Sequence, residues 1–320
     1  MIRAAVIGVG AYLPERVIEN AWFAEELGLD TSDEWIRSRT GIERRHFARD
    51  GQLTSELGAH AARAALDNAG IEADTIDAIV VATTTPDQTF PSTAVKIQAA
   101  LGMTRGFAYD QMAACAGYIF ALSSADAMIR SGQARRVIVI GAETYSRILD
   151  FEDRGTCVLF GDGAGALILE AQEGERGILA TDLHSDGTQG AILYVDGGVS
   201  ASGTSGKLRM QGREVFRHAV EKLAATAGTA LEKAGLGHDD VDWVVPHQAN
   251  IRIIDATARK MGIPRSRVVV TVQDHGNTSA ASIPLALASA AEKGQLKQGD
   301  VVATEAIGGG LAWGSAILRW

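Results

Sequence analysis

Two cysteines in 320 residues are the first candidates for chemistry, and their settings differ. Cys115 lies in Met112-Ala-Ala-Cys-Ala-Gly-Tyr118, after the apolar stretch 107–109 and at the start of an Ala-rich segment that runs to Arg130. A thiol at such a strand-to-helix junction meets the positive end of the helix dipole and unpaired N–H groups. These favour the thiolate and offer an oxyanion site. The same surroundings also suit a small core cysteine. Cys157, in Arg154-Gly-Thr-Cys-Val-Leu-Phe160, sits in a strand-like run with no helix to activate it and reads as core. His247 follows an apolar run in Trp243-Val-Val-Pro-His-Gln-Ala-Asn250, and Asn277 follows another in Asp274-His-Gly-Asn-Thr-Ser279. Both read as strand C-terminal ends, where open α/β sheets gather ligand-binding groups. A histidine there is also a common structural hydrogen-bonder, and Asn277 could simply cap a following helix. His275 competes as a base, but its place beside Gly276 suggests a turn. Near the C-terminus, Ile307-Gly-Gly-Gly-Leu-Ala-Trp-Gly314 offers backbone N–H groups free of Cβ hindrance. Gly309 is the candidate second oxyanion donor there, and a tight turn between strands is compatible with that role.

The elements that must position these groups read as α/β. Short apolar runs at 4–8, 77–83, 136–142, 166–169, 242–245, 268–272, 301–305 and 315–318 alternate with Ala-rich segments of helical period. An internal repeat organises them. Laying 61–81 over 226–246 puts Leu66, Ala69, Gly70, Asp74 and Asp77 on Leu231, Ala234, Gly235, Asp239 and Asp242, and the same offset puts Cys115 opposite Ala280. Two duplicated αβ halves are expected, residues 1–172 carrying the nucleophile and 173–320 carrying His247 and Asn277. The Gly/Ser/Thr-rich stretch 186–206 reads as a loop or hinge between the copies. Gly161-Asp-Gly-Ala-Gly165 lacks the Lys-Ser/Thr pair and following helix of a nucleotide loop, and reads as a strand connection.

Composition bounds the rest. With 46% hydrophobic and 22% charged residues, the chain can bury one large core or two fused ones. A net charge of -9 argues against nucleic acid as the main partner. Two cysteines make no disulfide framework and suit a reducing compartment, so a cytoplasmic protein is expected. Gly8 and Gly10 interrupt the N-terminal apolar run, which reads as a first strand rather than a leader, and no segment is long and apolar enough to span a bilayer. Residues 247–270 hold five cations (Arg252, Arg259, Lys260, Arg265 and Arg267) against one acid, Asp255, a basic patch in an otherwise acidic chain. In Thr31-Ser-Asp-Glu-Trp-Ile-Arg-Ser-Arg39, Thr31 and Glu34 are spaced as a capping box. Trp35 and Arg39 then share a helix face, able to stack an aromatic base and meet a phosphate. An exposed, salt-bridged helix explains the same spacing.

Together, Ala-Ala-Cys-Ala-Gly, Pro-His-Gln-Ala-Asn, His-Gly-Asn-Thr-Ser, Gly-Asp-Gly-Ala-Gly and Gly-Gly-Gly-x-x-Trp-Gly resemble the β-ketoacyl-acyl carrier protein synthase III family along essentially the whole chain. The resemblance implies a thiolase-like fold, with two halves layered α-β-α-β-α. It implies that Cys115 takes an acyl group, usually acetyl, from acyl-CoA. His247 and Asn277 then stabilise decarboxylation of malonyl-acyl carrier protein, and the carbanion attacks the acyl-Cys over an oxyanion hole of Cys115 and Gly309. Coenzyme A contacts are implied for Thr31, Trp35, Arg39, Arg154, Gly212, Phe216 and Asn250. A carrier-protein surface is implied for Gln248, Ala249, Asn250, Ile251 and Arg252, with Arg217, Arg259 and Lys260 extending it. Phe90 matches a position that family dimers lend to the partner's acyl pocket, so a homodimer is expected. Ile307 stands where many members carry Phe, which leaves primer size open. No metal or cofactor is expected. A specialised acyltransferase or starter-condensing enzyme of secondary metabolism is the alternative, and a silent partner of a condensing enzyme is a further one.

Overall fold

The computed structural model describes residues 1–320, and its central strands are apolar because they are covered on both faces. The first sheet runs Ile2–Tyr12, Gly163–Glu173, Arg136–Glu143, Ala78–Ala82 and Phe107–Gln111, in that order across the sheet. Ala78–Ala82 is parallel to both of its neighbours, and the other pairings are antiparallel. The second sheet runs Trp243–Val244, Val301–Gly308, Ala312–Arg319 and Gly177–Ser185. Helices Gly117–Arg130 and Ser282–Glu292 fill the space between the sheets, sharing one core with apolar residues from both. Thr54–Ala69 covers the outer face of the first sheet, while Gly212–Ala234 and Ile251–Lys260 cover that of the second. The layers are therefore α-β-α-β-α, the order expected of a thiolase-like fold.

The 165-residue offset recurs in the elements themselves. Arg136–Glu143 maps onto Val301–Gly308 at both ends, and the 3₁₀ turn Ala114–Ala116 maps onto Ser279–Ala281. Thr54–Ala69 and Gly212–Ala234 end 165 positions apart, each capped by a left-handed glycine, Gly70 (φ 65°) and Gly235 (φ 72°). The chain crosses from one sheet to the other between Glu173 and Gly177. The stretch 186–206 is thus not the seam. It carries the strand Leu193–Val195, which pairs with Leu208–Met210, and Leu193 and Met210 face the cavity described below.

Three further expectations are corrected. Residues 268–272 form no regular strand; Val268 makes one bridge to Val244, and Val272 already starts the short helix Val272–His275. The Gln248 side chain replaces the missing neighbour, donating to Val269 O and accepting from Thr271 N and Val272 N. Helix Asp33–Thr40 is capped by Ser32, whose Oγ accepts from Trp35 N, so the Thr31–Glu34 box does not form. Cys157 closes the short helix Arg154–Cys157 instead of lying in a strand; it is nonetheless buried, and burial pushes its thiol up to about 12.

Candidate functional site

Cys115 sits in the 3₁₀ turn Ala114–Ala116, between strand Phe107–Gln111 and helix Gly117–Arg130. Ala114 ahead of it has left-handed backbone (φ 47°), which turns the chain sharply enough to aim the thiol at the second half. Gly308 packs on the same turn: a Cβ there would lie 2.5 Å from Cys115 N and 2.9 Å from Ala114 Cβ. Gly309 follows, and its amide donates to no other group of the chain. The first glycine of the triple therefore has a steric reason that the sequence pattern did not reveal.

His247 and Asn277 come from the second half and are held by serines that sequence reading passed over. The Ser282 hydroxyl lies 2.6 Å from His247 Nδ1, and its oxygen accepts the Gln248 N–H at 3.2 Å. His247 Nδ1 is the one acceptor within reach of that buried hydroxyl, so the serine proton goes to Nδ1 and the ring proton is placed on Nε2, the nitrogen left for the cavity. Burial lowers the imidazole to about 4, which keeps it neutral at pH 7. Asn277 Oδ1 accepts from Ser279 N at 2.9 Å, leaving its NH₂ as the free donor. The Asn277 backbone is pinned between halves by Leu159 O and Gly161 N. That approach explains Gly161, where a Cβ would meet His275 O at 2.6 Å. His275 is half-buried and does not line the cavity.

Cys115, His247 and Asn277 all face a single, mostly apolar cavity of about 240 Å³. Ile307 lines the same cavity, as do Trp35, Arg39, Gly212, Phe216, Ala249 and Asn250. At the mouth, the Arg39 and Arg154 guanidinium groups lie 4.7 Å and 4.8 Å from the Trp35 ring centroid, and Arg154 also pairs with exposed Asp30. Helix Asp33–Thr40 is fastened to helix Ile251–Lys260 by Asn250 Nδ2 on Arg39 O and Arg252 on Ser38 O. Asn250 Oδ1 caps the second helix at Arg252 N, so both ends of that side chain are engaged structurally. Thr31 lies outside the cavity lining, with its hydroxyl buried and unpartnered. Gln248 is wholly buried and has no surface to offer a carrier protein, which corrects its place in that set. Arg252, Arg259 and Lys260 are exposed, Ile251 is half-buried, and Arg217 is exposed and paired with Glu214. Phe90 is 81% exposed and lies outside its own chain's cavity.

Burial pushes the Cys115 thiol up to about 11, opposed by the Ser279 hydroxyl and reinforced by the nearby Glu143 carboxylate. Glu143 is itself buried and held by Thr83, Thr84 and Thr85; burial raises its pKa despite those donors. A helix start alone therefore does not leave Cys115 as a thiolate at rest: the thiol is 3% exposed, at the cavity, and burial outweighs the contacts that favour the charged form.

The model for the 3-oxoacyl-[acyl-carrier-protein (ACP)] synthase III family matches residues 109–187, and the model for that family's C-terminal part matches residues 231–320. A β-ketoacyl-[acyl-carrier-protein] synthase III of Cereibacter sphaeroides is 67% identical over 100% of this chain and 99% of its own length. One from Rhodobacter capsulatus is 68% identical over the same shares. Among solved structures, 3-oxoacyl-[acyl-carrier-protein] synthase III from Aquifex aeolicus superposes with a TM-score of 0.94 at 45% identity, covering 99% of this chain and 100% of that one. The priming β-ketosynthase of the R1128 polyketide pathway superposes with a TM-score of 0.93 at 35% identity, over 99% and 96%. Matched in both parts of the family model, and along its whole length by named members, the chain belongs to the 3-oxoacyl-[acyl-carrier-protein] synthase III family.

Proposed function

We propose that this enzyme initiates fatty acid synthesis by joining an acyl-CoA primer, acetyl-CoA first among candidates, to malonyl-acyl carrier protein. The observation that carries the reading is the convergence of Cys115, His247 and Asn277 on one apolar cavity whose mouth holds Trp35 and Arg39. Cys115 Sγ attacks the acyl thioester, its proton leaves with the CoA thiol, and the acyl group stays on the enzyme. Malonyl-acyl carrier protein then places its thioester oxygen on His247 Nε2–H and the Asn277 NH₂. Both donors are neutral, fixed by Ser282 and Ser279, and act as negative charge develops while CO₂ departs. The carbanion attacks the acyl-Cys carbonyl, whose oxygen is received by the amides of Cys115 and Gly309. The products are a 3-oxoacyl-acyl carrier protein, CO₂ and the Cys115 thiolate, which takes up a proton from solvent to restore the thiol. Each step is assigned to the chain's own groups, and both thioesters enter as substrates.

Trp35, Arg39 and Arg154 are assigned to the CoA nucleotide, with Gly212 and Phe216 along the channel. Strand Phe107–Gln111 is one of the two edges of its sheet, and Phe90 and Met112 are 81% and 77% exposed. We assign this edge to a second copy, with Phe90 entering the partner's acyl pocket, and place the enzyme in the cytoplasm with its carrier protein. No helix is long and apolar enough to cross a membrane.

Intact mass spectrometry after incubation with a panel of acyl-CoAs, then malonyl-acyl carrier protein, tests the reading. A thioester adduct should appear on Cys115 and disappear when the carrier substrate is added; no adduct from any acyl-CoA would refute it. Cys115→Ser should abolish the adduct. His247→Ala and Asn277→Ala should still load but release CO₂ roughly 100- to 1,000-fold more slowly. A polyketide-type starter enzyme would instead load a longer or branched primer in preference to acetyl. The same preparation should sediment as a dimer, and a monomer at micromolar concentration would remove Phe90 from the pocket.

A further inference from the structure

The two halves build the same backbone device and put it to different uses. Ala114 and Ser279 are the two non-glycine residues with left-handed backbone, at φ 47° and 50°. They are mates under the 165-residue repeat, each opening a buried 3₁₀ turn that leads into one of the two central helices. Such backbone is unfavourable for an L residue and persists where the surroundings impose it. In the first half the device presents Cys115. In the second, the residue at the strained position carries a hydroxyl that crosses to the other half and donates to Cys115 Sγ, 3.4 Å away. Ser279 is wholly buried, and its hydroxyl also faces the Glu143 carboxylate and the Tyr145 hydroxyl.

We propose that Ser279 is a catalytic residue of the acylation step, its O–H stabilising the Cys115 sulfur as negative charge gathers there. The proposal rests on reading Cys115 as the nucleophile. A bond forms between Sγ and the acyl carbon, the bond from that carbon to the CoA sulfur breaks, and the cysteine proton leaves on CoA. Ser279 keeps its own proton throughout. Other groups face the thiol from neighbouring elements. The Glu143 carboxylate at the end of strand Arg136–Glu143 disfavours a negative sulfur, the buried Tyr145 hydroxyl favours it, and His247 across the cavity is neutral. Against the nearby carboxylate, the Ser279 hydroxyl supplies the leading opposing interaction. Because its N–H also orients Asn277, one residue serves both half-reactions through separate atoms.

That separation gives the test. Ser279→Ala and Ser279→Gly both remove the hydroxyl and keep the N–H, while glycine also relieves the left-handed backbone. Three quantities are measured on folded protein, checked by thermal melting: the pH dependence of Cys115 alkylation by iodoacetamide, the rate of acyl loading from acyl-CoA, and the condensation rate of enzyme preloaded by long incubation. Both variants should load roughly 10- to 100-fold more slowly. At any fixed pH between about 7 and 9 they should alkylate roughly tenfold more slowly, and preloaded enzyme should condense within about twofold of wild type. If Ser279→Gly alkylates and loads like wild type, the hydroxyl has no such role. If both variants slow loading and condensation equally, Ser279 acts only by holding Asn277 and the proposal fails. Should wild-type enzyme accept no acyl group, the acyl-CoA reading falls, while the alkylation arm still decides the effect of the hydroxyl on the thiol.

Discussion

At the scale of single residues, the site pairs a desolvated thiol with a neutral imidazole. Desolvation disfavours whichever form is charged, so it moves Cys115 up to about 11 and His247 down to about 4. Both are therefore uncharged at pH 7. A neutral His247 with its proton on Nε2 suits donation to a thioester oxygen, and a protonated Cys115 must lose its proton as the acyl donor arrives. Alkylation of Cys115 should accordingly rise about tenfold per pH unit from pH 7 to 9, measured by mass spectrometry in a Cys157→Ala background. A plateau below pH 8 would mean that the helix start and Ser279 together outweigh burial. Cys115, His247 and Asn277 were legible because each stands in a distinctive run of neighbours. Ser279 and Ser282 were not, since hydroxyls in Thr-Ser-Ala-Ala-Ser look like ordinary helix-start residues; their roles depend on a left-handed backbone and a histidine 35 positions away. Gln248 was misread for a related reason. The family resemblance implies a carrier surface for the whole run Gln248 to Arg252, and only the irregular stretch 268–272 gives the Gln248 side chain a buried use.

At the scale of elements, what positions the nucleophile is the meeting of the turn Ala114–Ala116 with the end of strand Val301–Gly308. The absence of a Cβ at Gly308 lets them touch, and the nearest atoms are backbone and a Cβ, which cannot swing away. Gly308→Ala should therefore displace either the turn or the strand end and lower acyl loading at least about 100-fold. Its melting temperature should fall only a few degrees, because the clash lies at a strand terminus. Loading near the wild-type rate would show that the turn has slack the packing does not indicate. The repeat was legible at this scale because glycine-ended helices and apolar strands leave a pattern that survives duplication, and both ends of Arg136–Glu143 and Val301–Gly308 obey the offset. Residues 268–272 were apolar and β-branched enough to suggest a strand. No continuous neighbouring strand is present to pair with them, which is long-range information that a local pattern lacks.

At the scale of the whole molecule, an enzyme with a net charge of -9 has to receive an acyl carrier protein, and such carriers are acidic. Electrostatic approach then depends on cations that are not already neutralised. Arg265 is paired with Asp255 at 2.8 Å and Arg217 with Glu214 at 2.6 Å, while Arg252 donates to Ser38 O. Arg252, Arg259, Lys260 and Arg267 are exposed and have no acidic partner, but Arg252 and Arg267 are tied to the carbonyls of Ser38 and Val241, so Arg259 and Lys260 at the end of helix Ile251–Lys260 are the pair free to reach outward. Reversing both, Arg259→Glu with Lys260→Glu, should raise KM for malonyl-acyl carrier protein roughly tenfold at low ionic strength. The gap to wild type should narrow as salt is added, because these charges act through solvent. Loading from acyl-CoA should be unchanged, since neither residue borders the cavity that holds Cys115. Arg217→Glu should have a smaller effect, because Glu214 already offsets that charge. Steady-state kinetics with malonyl-acyl carrier protein at two salt concentrations, beside the loading assay, check all of this. A double variant with unchanged KM would move the carrier site to another face, and one that also loads poorly would show that the helix supports the cavity rather than the carrier.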